Sequence, residues 1–367
     1  MIAAAARENN PKRSYLAVNR KQGKHVPVSP KEAFGLYRRL CGEIREVYEG
    51  ETLLVIGFAE TATAIGAFLA AERNALYMQT TREDLPGVSY LYFSESHSHA
   101  SEQRLVREDL EKALAIADRI LFAEDELTTG NTILSAILAI QQAFGEKTRN
   151  LRFSAISVLN GMDDAARRIY EEKQIGLHYL IRSDHGRYAR EAAACRADGI
   201  YHDAVLTDPQ EDIPLTELCI PGCMNPRRLV DAAEYRQSCI WLSERIMEAV
   251  SLRDGEKILV LGTEECMYPA LHLAEMLEEK GYSVKNHATT RSPIVVSSEA
   301  SYPLHSRYQL ASLYDGRRKT FIYDLEPYGC VIVLTDAVSI SREGRNSLIH
   351  ALKSSGSERI YLVRWSE

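Results

Sequence analysis

The stretch ILFAEDELTTGNTILSAI, residues 120–137, decides the fold of this chain. An apolar run leads into Glu124 and Asp125, a hydroxyl-rich turn follows, and apolar residues then recur at helical spacing. This pattern predicts a buried strand that reaches two carboxylates and continues through a short turn into a helix. In an open parallel sheet, ligands bind at that end of the strands.

The same alternation of strand and helix recurs along the chain, in TLLVIGFAETATAIGAFLAAE, NALYMQTTR and LRFSAISVLN. Strands that alternate with helices favour an α/β fold, with parallel pairing through right-handed crossovers. Further helices are predicted over residues 29–50, with Ser29 as the N-terminal cap, and over residues 101–117.

The second half of the chain repeats the first in outline. ILVLGTEECMYPALHLAEML, NHATTRSPI, VIVLTDAVSISREGRNSLIHAL and RIYLVRW follow in the order of their counterparts. Gly262 lies 205 residues after Gly57, and Arg291 lies 209 residues after Arg82. The shared Thr-Thr-Arg favours duplication over the general likeness of α/β domains. We predict two Rossmann-like parallel-sheet domains, residues 1–205 and 227–367, joined by a Pro- and acid-rich linker at 206–226.

Composition and charge disfavour several classes of function. The 367 residues are 45% apolar and carry a net charge of −7, which disfavours nucleic acid as a partner. No apolar run approaches the ~20 residues that span a bilayer, so no membrane partner is expected. Cys219 and Cys223 have no matching Cys or His pair nearby, so isolated thiols are favoured over a zinc site. Scattered cysteines, and a start too briefly apolar for a signal peptide, indicate the cytoplasm.

The turn after the two acids has the chemistry of a phosphate site. A helix N-terminus presents backbone amides, threonines add hydroxyl donors, and Gly130 permits close approach of an anion. The neighbouring carboxylates can accept hydrogen bonds from vicinal hydroxyls or help to hold Mg²⁺. A phosphate next to a diol describes ribose 5-phosphate. The alternative is a structural turn capped by threonine.

This stretch resembles the binding signature for phosphoribosyl pyrophosphate (PRPP) in type I phosphoribosyltransferases. The resemblance implies that fold for the first domain and a degenerate copy, without the PRPP loop, for the second. It implies a PRPP site at Glu124, Asp125, Thr128, Thr129, Gly130, Asn131 and Thr132. Mg²⁺ would be held indirectly by Glu124 and Asp125, through the substrate or water.

Two further segments carry the resemblance. The family's pyrophosphate loop corresponds to Gly57, Ala59, Glu60, Thr61, Ala62 and Thr63, with Arg82 after the next strand. Its flap corresponds to FSESHSHASEQR, in which His97 and His99 would join Asp125 as catalytic residues. Tight packing of the loop, a surface arginine and solvated histidines are the alternatives.

Both halves together are similar to a narrower group, the phosphoribosyltransferases of bacterial tellurite-resistance and stress gene clusters with a C-terminal Thr-Arg-Ser-Pro (TRSP) domain. QGKHVPVSP, with Lys24 and His25, resembles that group's N-terminal hood segment. Thr290, Arg291 and Ser292 begin the TRSP motif and form either a second anion site or a structural turn fixed by Pro293.

The function implied is Mg²⁺-dependent exchange of the pyrophosphate of PRPP for a nitrogen base or related nucleophile, or the reverse. Thr128 stands where purine-type members have an acid, so the motif is of the orotate type. The alternatives are a non-catalytic sensor of PRPP or a nucleotide, and an assembly scaffold. The expected partners are PRPP and an acceptor of unknown chemistry, and a homodimer is allowed but not required.

Overall fold

A computed structural model of the chain describes residues 2–8, 10, 13–93, 103–205 and 215–367. Contacts within the chain divide it into two units. Unit A comprises Tyr37–Asp184 and Met224–Gln237, and unit B comprises Met1–Leu36, His185–Cys223 and Ser238–Glu367. Within the described ranges, every helix is too short or too polar to cross a membrane.

The described residues form strands and helices in alternation. The strands are β1 (Ile2–Ala6), β2 (Tyr15–Asn19), β3 (Leu53–Gly57), β4 (Leu76–Gln79), β5 (Tyr90–Phe93), β6 (Gln103–Val106), β7 (Arg119–Leu127), β8 (Arg152–Asn160), β9 (Gly176–Arg182), β10 (Ile200–Asp203), β11 (Thr216–Ile220), β12 (Val230–Asp231), β13 (Lys257–Gly262), β14 (Ser283–Ala288), β15 (Ser306–Ala311), β16 (Lys319–Tyr323), β17 (Cys330–Thr335) and β18 (Arg359–Trp365). The helices are α1 (Pro30–Gly42), α2 (Thr63–Glu72), α3 (Arg107–Leu114), α4 (Asn131–Phe144), α5 (Asp164–Glu172), α6 (His185–Ala193), α7 (Ala232–Ala249), α8 (Tyr268–Glu279) and α9 (Arg342–Ser354).

Unit A is built on a six-stranded sheet with the order β12-β4-β3-β7-β8-β9. All neighbours pair in parallel except the short edge strand β12, which runs antiparallel to β4. Strand β3 is buried throughout and β8 along nearly all its length, as expected for strands covered on both faces. Strands β5 and β6 form a separate antiparallel pair.

Unit B contains a five-stranded parallel sheet with the order β11-β18-β17-β13-β14. Its main core includes Leu259, Val331, Val333, Leu348 and Leu352, from the sheet and helix α9. A three-stranded sheet, β10-β15-β16, and the antiparallel pair β1-β2 complete the unit.

The two sheets share one topology. When the four successive sheet strands are numbered along the chain, the order is 2-1-3-4 both in unit A (β4-β3-β7-β8) and in unit B (β14-β13-β17-β18). Each unit also has an antiparallel pair between its second and third strands, β5-β6 and β15-β16. The α/β fold with parallel sheets is confirmed, and the repeated order supports duplication.

The division into units differs from the predicted boundaries at 205 and 227. Residues 1–36 and 185–223 cluster with the C-terminal half because their apolar side chains contribute to its core. Ala5 and Val18, for example, pack with Ile294, Val296 and Leu304. Part of the predicted linker is strand β11, which pairs in parallel with β18. Local composition did not reveal either contact, since both partners are distant in sequence.

Two predicted helices are shorter than expected. The first half of 101–117 contains strand β6, and only Arg107–Leu114 is helical. Helix α1 ends at Gly42 instead of continuing to residue 50. The hydroxyl of Ser29 does not cap α1 but donates to Glu278 Oε1 at 2.7 Å, while its carbonyl accepts from Glu32 N–H.

Candidate active site

The acid pair lies inside strand β7, which continues to Leu127, four residues beyond the predicted end of the apolar run. Glu124 is in register with Ser157 of β8. The carboxyl groups of Glu124 and Asp125 are close enough to form a side-chain hydrogen bond with each other. Glu124, Asp125 and Glu126 are all half-buried. The strand thus presents a cluster of carboxylates at its carboxyl end.

Burial and mutual repulsion perturb the acid pair. Burial and the charge of Asp125 raise the pKa of Glu124 well above its usual range. The charges of the acid pair also affect the pKa values of two buried tyrosines. Burial together with the charge of Asp125 raises the pKa of Tyr37, and burial together with the charge of Glu124 raises that of Tyr170. Sequence reasoning missed both tyrosines, because neither lies in a motif.

The turn after β7 is held by Tyr170. Gly130 has a φ of 74°, in the left-handed region, and precedes helix α4. Its carbonyl accepts a hydrogen bond from the Tyr170 hydroxyl at 2.8 Å and another from Leu134 N–H at 3.1 Å. A Cβ at Gly130 would lie 2.6 Å from the Tyr170 oxygen, so only glycine fits this position without movement.

Helix α4 supplies the rest of the turn's chemistry. Its apolar residues recur at helical spacing and form one buried face, and its N-terminus follows directly after the turn. Thr129 and Asn131 are exposed, and Thr128 and Thr132 are half-buried. Asn131 N–H is 3.3 Å from Thr129 Oγ1. The arrangement places hydroxyls and first-turn amides together, as an oxyanion site requires.

The loop after β3 lies beside the acid pair. Phe58 N–H donates to the carbonyl of Ala123, the residue before Glu124, at 3.1 Å. Within the loop, Thr63 Oγ1 donates to the Glu60 carbonyl at 3.2 Å. Helix α2 then starts close to the strand, since a Cβ at Gly66 would lie 2.8 Å from Gly57 Cα. The predicted loop residues Gly57, Ala59, Glu60, Thr61, Ala62 and Thr63 are contiguous here, and the peptide bond between Ala59 and Glu60 is cis.

The Thr-Thr-Arg segment after β4 joins the same edge. Thr80 N–H donates to the Gly57 carbonyl at 3.0 Å, and Thr80 Oγ1 accepts from Ala59 N–H at 2.8 Å. Arg82 follows, half-buried. Gln103 of β6 was missed by the sequence prediction, because that region was assigned to a helix. Its amide nitrogen donates to the Ala59 carbonyl at 2.7 Å, and its amide oxygen accepts from Thr80.

Three predicted segments therefore meet at the carboxyl ends of adjacent strands β4, β3 and β7. The donor set also fits Mg²⁺, which is commonly held by one or two carboxylates together with substrate phosphates. Over the described ranges, no group of three or more His, Cys, Asp or Glu residues could hold a metal by itself. His97 and His99 lie outside the described residues.

The hood residues Lys24 and His25 are buried in unit B. Lys24 Nζ donates to the carbonyls of Glu264 at 2.8 Å and Thr289 at 2.9 Å. The ammonium group thus joins two loops of unit B.

The TRSP motif is built into unit B. Arg291 Nε donates to Glu264 Oε2 at 2.6 Å, so the charge predicted to meet an external anion already has a carboxylate partner. Thr290 pairs with Phe321 through backbone hydrogen bonds, and the Ser292 carbonyl accepts from the Tyr323 hydroxyl at 2.7 Å. All three residues of the motif thus form hydrogen bonds within unit B, and an anion site at this position stays a prediction.

Comparison with known protein families identifies both halves. Residues 1–183 match the family model PRTase_2, described as phosphoribosyl transferase, and residues 231–352 match TRSP, described as the TRSP domain C-terminal to PRTase_2. The chain belongs to this family. Its N-terminal half is a PRTase_2 phosphoribosyltransferase domain, and phosphoribosyltransferases are glycosyltransferases that transfer a pentosyl group. No curated protein matches the chain.

Several solved structures are similar to about half of the chain. Adenine phosphoribosyl transferase from Trypanosoma brucei, in complex with AMP, pyrophosphate and ribose-5-phosphate, is 14% identical over 49% of this chain and 76% of its own, with a TM-score of 0.36. The Giardia lamblia APRTase complexed with 9-deazaadenine is 17% identical over 50% and 94%, with a TM-score of 0.34. A Staphylococcus aureus hypoxanthine phosphoribosyltransferase is 16% identical over 45% and 80%, with a TM-score of 0.26.

Proposed function

We propose that this protein exchanges the pyrophosphate of PRPP for a nitrogen base or a related nucleophile, or catalyses the reverse, with Mg²⁺ as cofactor. One observation carries the proposal. The acid pair of β7, the loop after β3 and the Thr-Thr-Arg segment after β4 share one edge of the unit A sheet, linked by the hydrogen bonds from Phe58 and Thr80. Together they offer partners for a diol, a 5-phosphate and a pyrophosphate.

Each part has a chemical role in the proposal. Residues 128–132 bind the 5-phosphate through amides and hydroxyls, and Glu124 and Asp125 accept hydrogen bonds from the ribose hydroxyls. The loop 57–63 and Arg82 bind the leaving pyrophosphate. Mg²⁺, held through Glu124 and Asp125 with substrate or water, would neutralise phosphate charge. The chain thus contributes positioning and charge stabilisation to an oxocarbenium-like transition state.

The motif is of the orotate type in this proposal, because Thr128 stands where purine-type members have an acid, and the proposal leaves the acceptor open. Proton transfer is assigned to His97 or His99, since imidazole titrates near neutral pH. The protein would act in the cytoplasm, where its seven cysteines, all in the described part of the chain, stay free thiols. The link to tellurite resistance and stress response is part of the same proposal and rests on the resemblance.

The first test removes one charge from the site. Asp125→Asn keeps the shape of the side chain, and the loss of a charged acceptor should weaken PRPP–Mg²⁺ binding by about 1.5–3 kcal/mol, roughly 10- to 150-fold. Isothermal titration calorimetry measures this directly. Asp254→Asn makes the same chemical change at an exposed position and should leave the affinity unchanged. Equal affinities for wild type and Asp125→Asn would refute the ribose assignment.

The second test asks whether bound PRPP turns over. Pyrophosphate release is measured with Mg²⁺ across a panel of bases and cell extract. With an accepted base, His97→Ala or His99→Ala should lower kcat roughly 10²-fold or more while PRPP affinity changes little. Tight PRPP binding without release for any acceptor would favour a PRPP sensor over an enzyme.

A further inference from the structure

The loop after β13 in unit B repeats the loop after β3 in unit A. Ala59 N–H donates to Thr80 Oγ1 at 2.8 Å, and Glu264 N–H donates to Thr289 Oγ1 at 3.0 Å. Thr80 N–H donates to the carbonyl of Gly57, which ends β3, and Thr289 N–H donates to the carbonyl of Gly262, which ends β13, each at 3.0 Å. Glu264 therefore occupies the position in unit B that Ala59 occupies in unit A.

The carboxylate of Glu264 is surrounded by donors. Arg291 Nε lies 2.6 Å from Oε2, a terminal nitrogen of Arg318 lies 3.1 Å from Oε2, and Ser312 Oγ lies 2.5 Å from Oε1. Glu265 is the other acid at the site, and its Oε1 lies 3.6 Å from a terminal nitrogen of Arg291. The Glu264 side chain is only 1% exposed. This geometry is that of an oxyanion site with two guanidinium groups and a hydroxyl.

The backbone of Glu264 is held as firmly as its side chain. Its φ of 50° lies in the left-handed region, which a residue with a side chain adopts only when its surroundings enforce it. Lys24 Nζ donates to its carbonyl, and its N–H bonds to Thr289. Every polar group of Glu264 thus has a partner in unit B.

We propose that unit B contains an oxyanion site whose ligand is the Glu264 carboxylate, supplied by the chain itself. Arg291 follows Thr-Thr after the second sheet strand, as Arg82 does in unit A, but it binds an internal carboxylate. At the position of the small Ala59 in unit A, unit B carries Glu264, whose carboxylate fills the oxyanion site. Unit B therefore does not bind oxyanions from solution at this site. Removal of the Glu264 side chain opens a site for small carboxylate ions. This inference does not depend on the proposed function.

Chemical rescue tests the proposal. Glu264→Ala should unfold at a lower temperature in sodium chloride, because buried guanidinium groups lose their partner. Formate or acetate at the same ionic strength should raise the melting temperature of this variant most of the way back, and the effect should saturate as the ion concentration increases. Phosphate is avoided, since unit A is proposed to bind it. Wild type and Glu279→Ala, which lacks an exposed acid of α8, should show no such ion-specific shift. Equal responses in wild type and Glu264→Ala, or none in folded Glu264→Ala, would overturn the proposal.

A double-mutant cycle decides the matter if Glu264→Ala does not fold. Glu264→Gln removes the carboxylate from both guanidinium groups, and Arg318→Gln leaves Glu264 with Arg291 as its remaining guanidinium partner. The Glu264–Arg318 charge pair can be lost only once, so its loss is counted in both single variants but only once in the double variant. The drop in melting temperature of the double variant should be smaller than the sum of the two single drops. Additive drops would overturn the proposal, because they would mean that the carboxylate is not the ligand of this guanidinium.

Discussion

At the scale of single residues, the two acids of the β7 edge are not equivalent. Their carboxyl groups form a side-chain hydrogen bond with each other, and the pKa of Glu124 is the one that is raised. Burial and Asp125 raise the pKa of Glu124, so the folded protein holds a proton there that the unfolded chain releases. A cation bound beside the pair would favour the ionised form. The site is therefore expected to lower stability when it is empty.

This asymmetry predicts how stability depends on pH. Below the ordinary pKa of a glutamate, about 4.3, both states of the protein are protonated at Glu124 and the group has no effect. As pH rises above that value towards the raised folded pKa, the unfolded state loses its proton first, so stability falls. Glu124→Gln should remove this loss and unfold at a higher temperature than wild type, by a margin that grows with pH.

Thermal unfolding by circular dichroism from pH 4 to pH 9, without Mg²⁺ or PRPP, measures the margin between Glu124→Gln and wild type. Glu279→Gln replaces an exposed glutamate and should follow the wild-type curve. A margin that stays constant across the range would show that Glu124 has an ordinary pKa.

At the scale of elements, helix α5 supports the turn that precedes helix α4. The Tyr170 hydroxyl donates to the Gly130 carbonyl, and its ring fills the space that a side chain at position 130 would need. Gly130 can therefore adopt its left-handed conformation without a gap behind it. The turn 128–132 is shaped by a residue that is 40 positions away in sequence.

Tyr170→Phe should thus loosen the turn and leave the fold intact. One hydrogen bond contributes about 0.5–1.5 kcal/mol, so the affinity for PRPP should fall roughly two- to tenfold. The KM for PRPP should rise while kcat changes little, because Tyr170 positions the turn and does not touch the reacting atoms. Tyr328→Phe is a matched control, since that buried hydroxyl has no hydrogen-bond partner in the described structure. Equal effects of the two substitutions would remove the positioning role of Tyr170.

At the scale of the whole molecule, the two sheets have one topology but different edges. Unit A has the acid pair, the turn with Gly130 and the small Ala59. Unit B has Asp336 alone at the matching strand end, where it accepts a hydrogen bond from the Tyr314 hydroxyl at 2.6 Å. Its loop carries Glu264 in the place of Ala59. From the duplicated architecture and the proposed function we therefore predict one PRPP site per chain.

Titration with PRPP and Mg²⁺ should accordingly saturate at one equivalent per chain. Asp336→Asn should leave this stoichiometry unchanged, whereas Asp125→Asn should weaken the single site. Calorimetry or equilibrium dialysis gives the number of sites directly. Two equivalents in wild type, with one lost in Asp336→Asn, would assign a working site to unit B.

Local sequence determined much of this protein. The apolar runs, the helical spacing after residue 131 and the acids at the end of the β7 apolar run predicted the strand, turn and helix that carry the site. The order of matching segments predicted the repeated sheet. These features can be predicted because hydrophobic periodicity and the residue preferences of turns depend on residues that are close in sequence. The strand β6 was misread as helix for the same reason, since a short apolar segment fits both periods.

Only the tertiary structure decided which distant residues meet. It placed Tyr170 against Gly130, paired β11 with β18, and joined residues 1–36 to the core of unit B. It also gave Arg291 an internal partner, Glu264, where the sequence left an external anion and a structural turn as alternatives. An arginine after a strand has the same local sequence in either case. Its partner is set by burial and by a carboxylate 27 positions away, which no local pattern encodes.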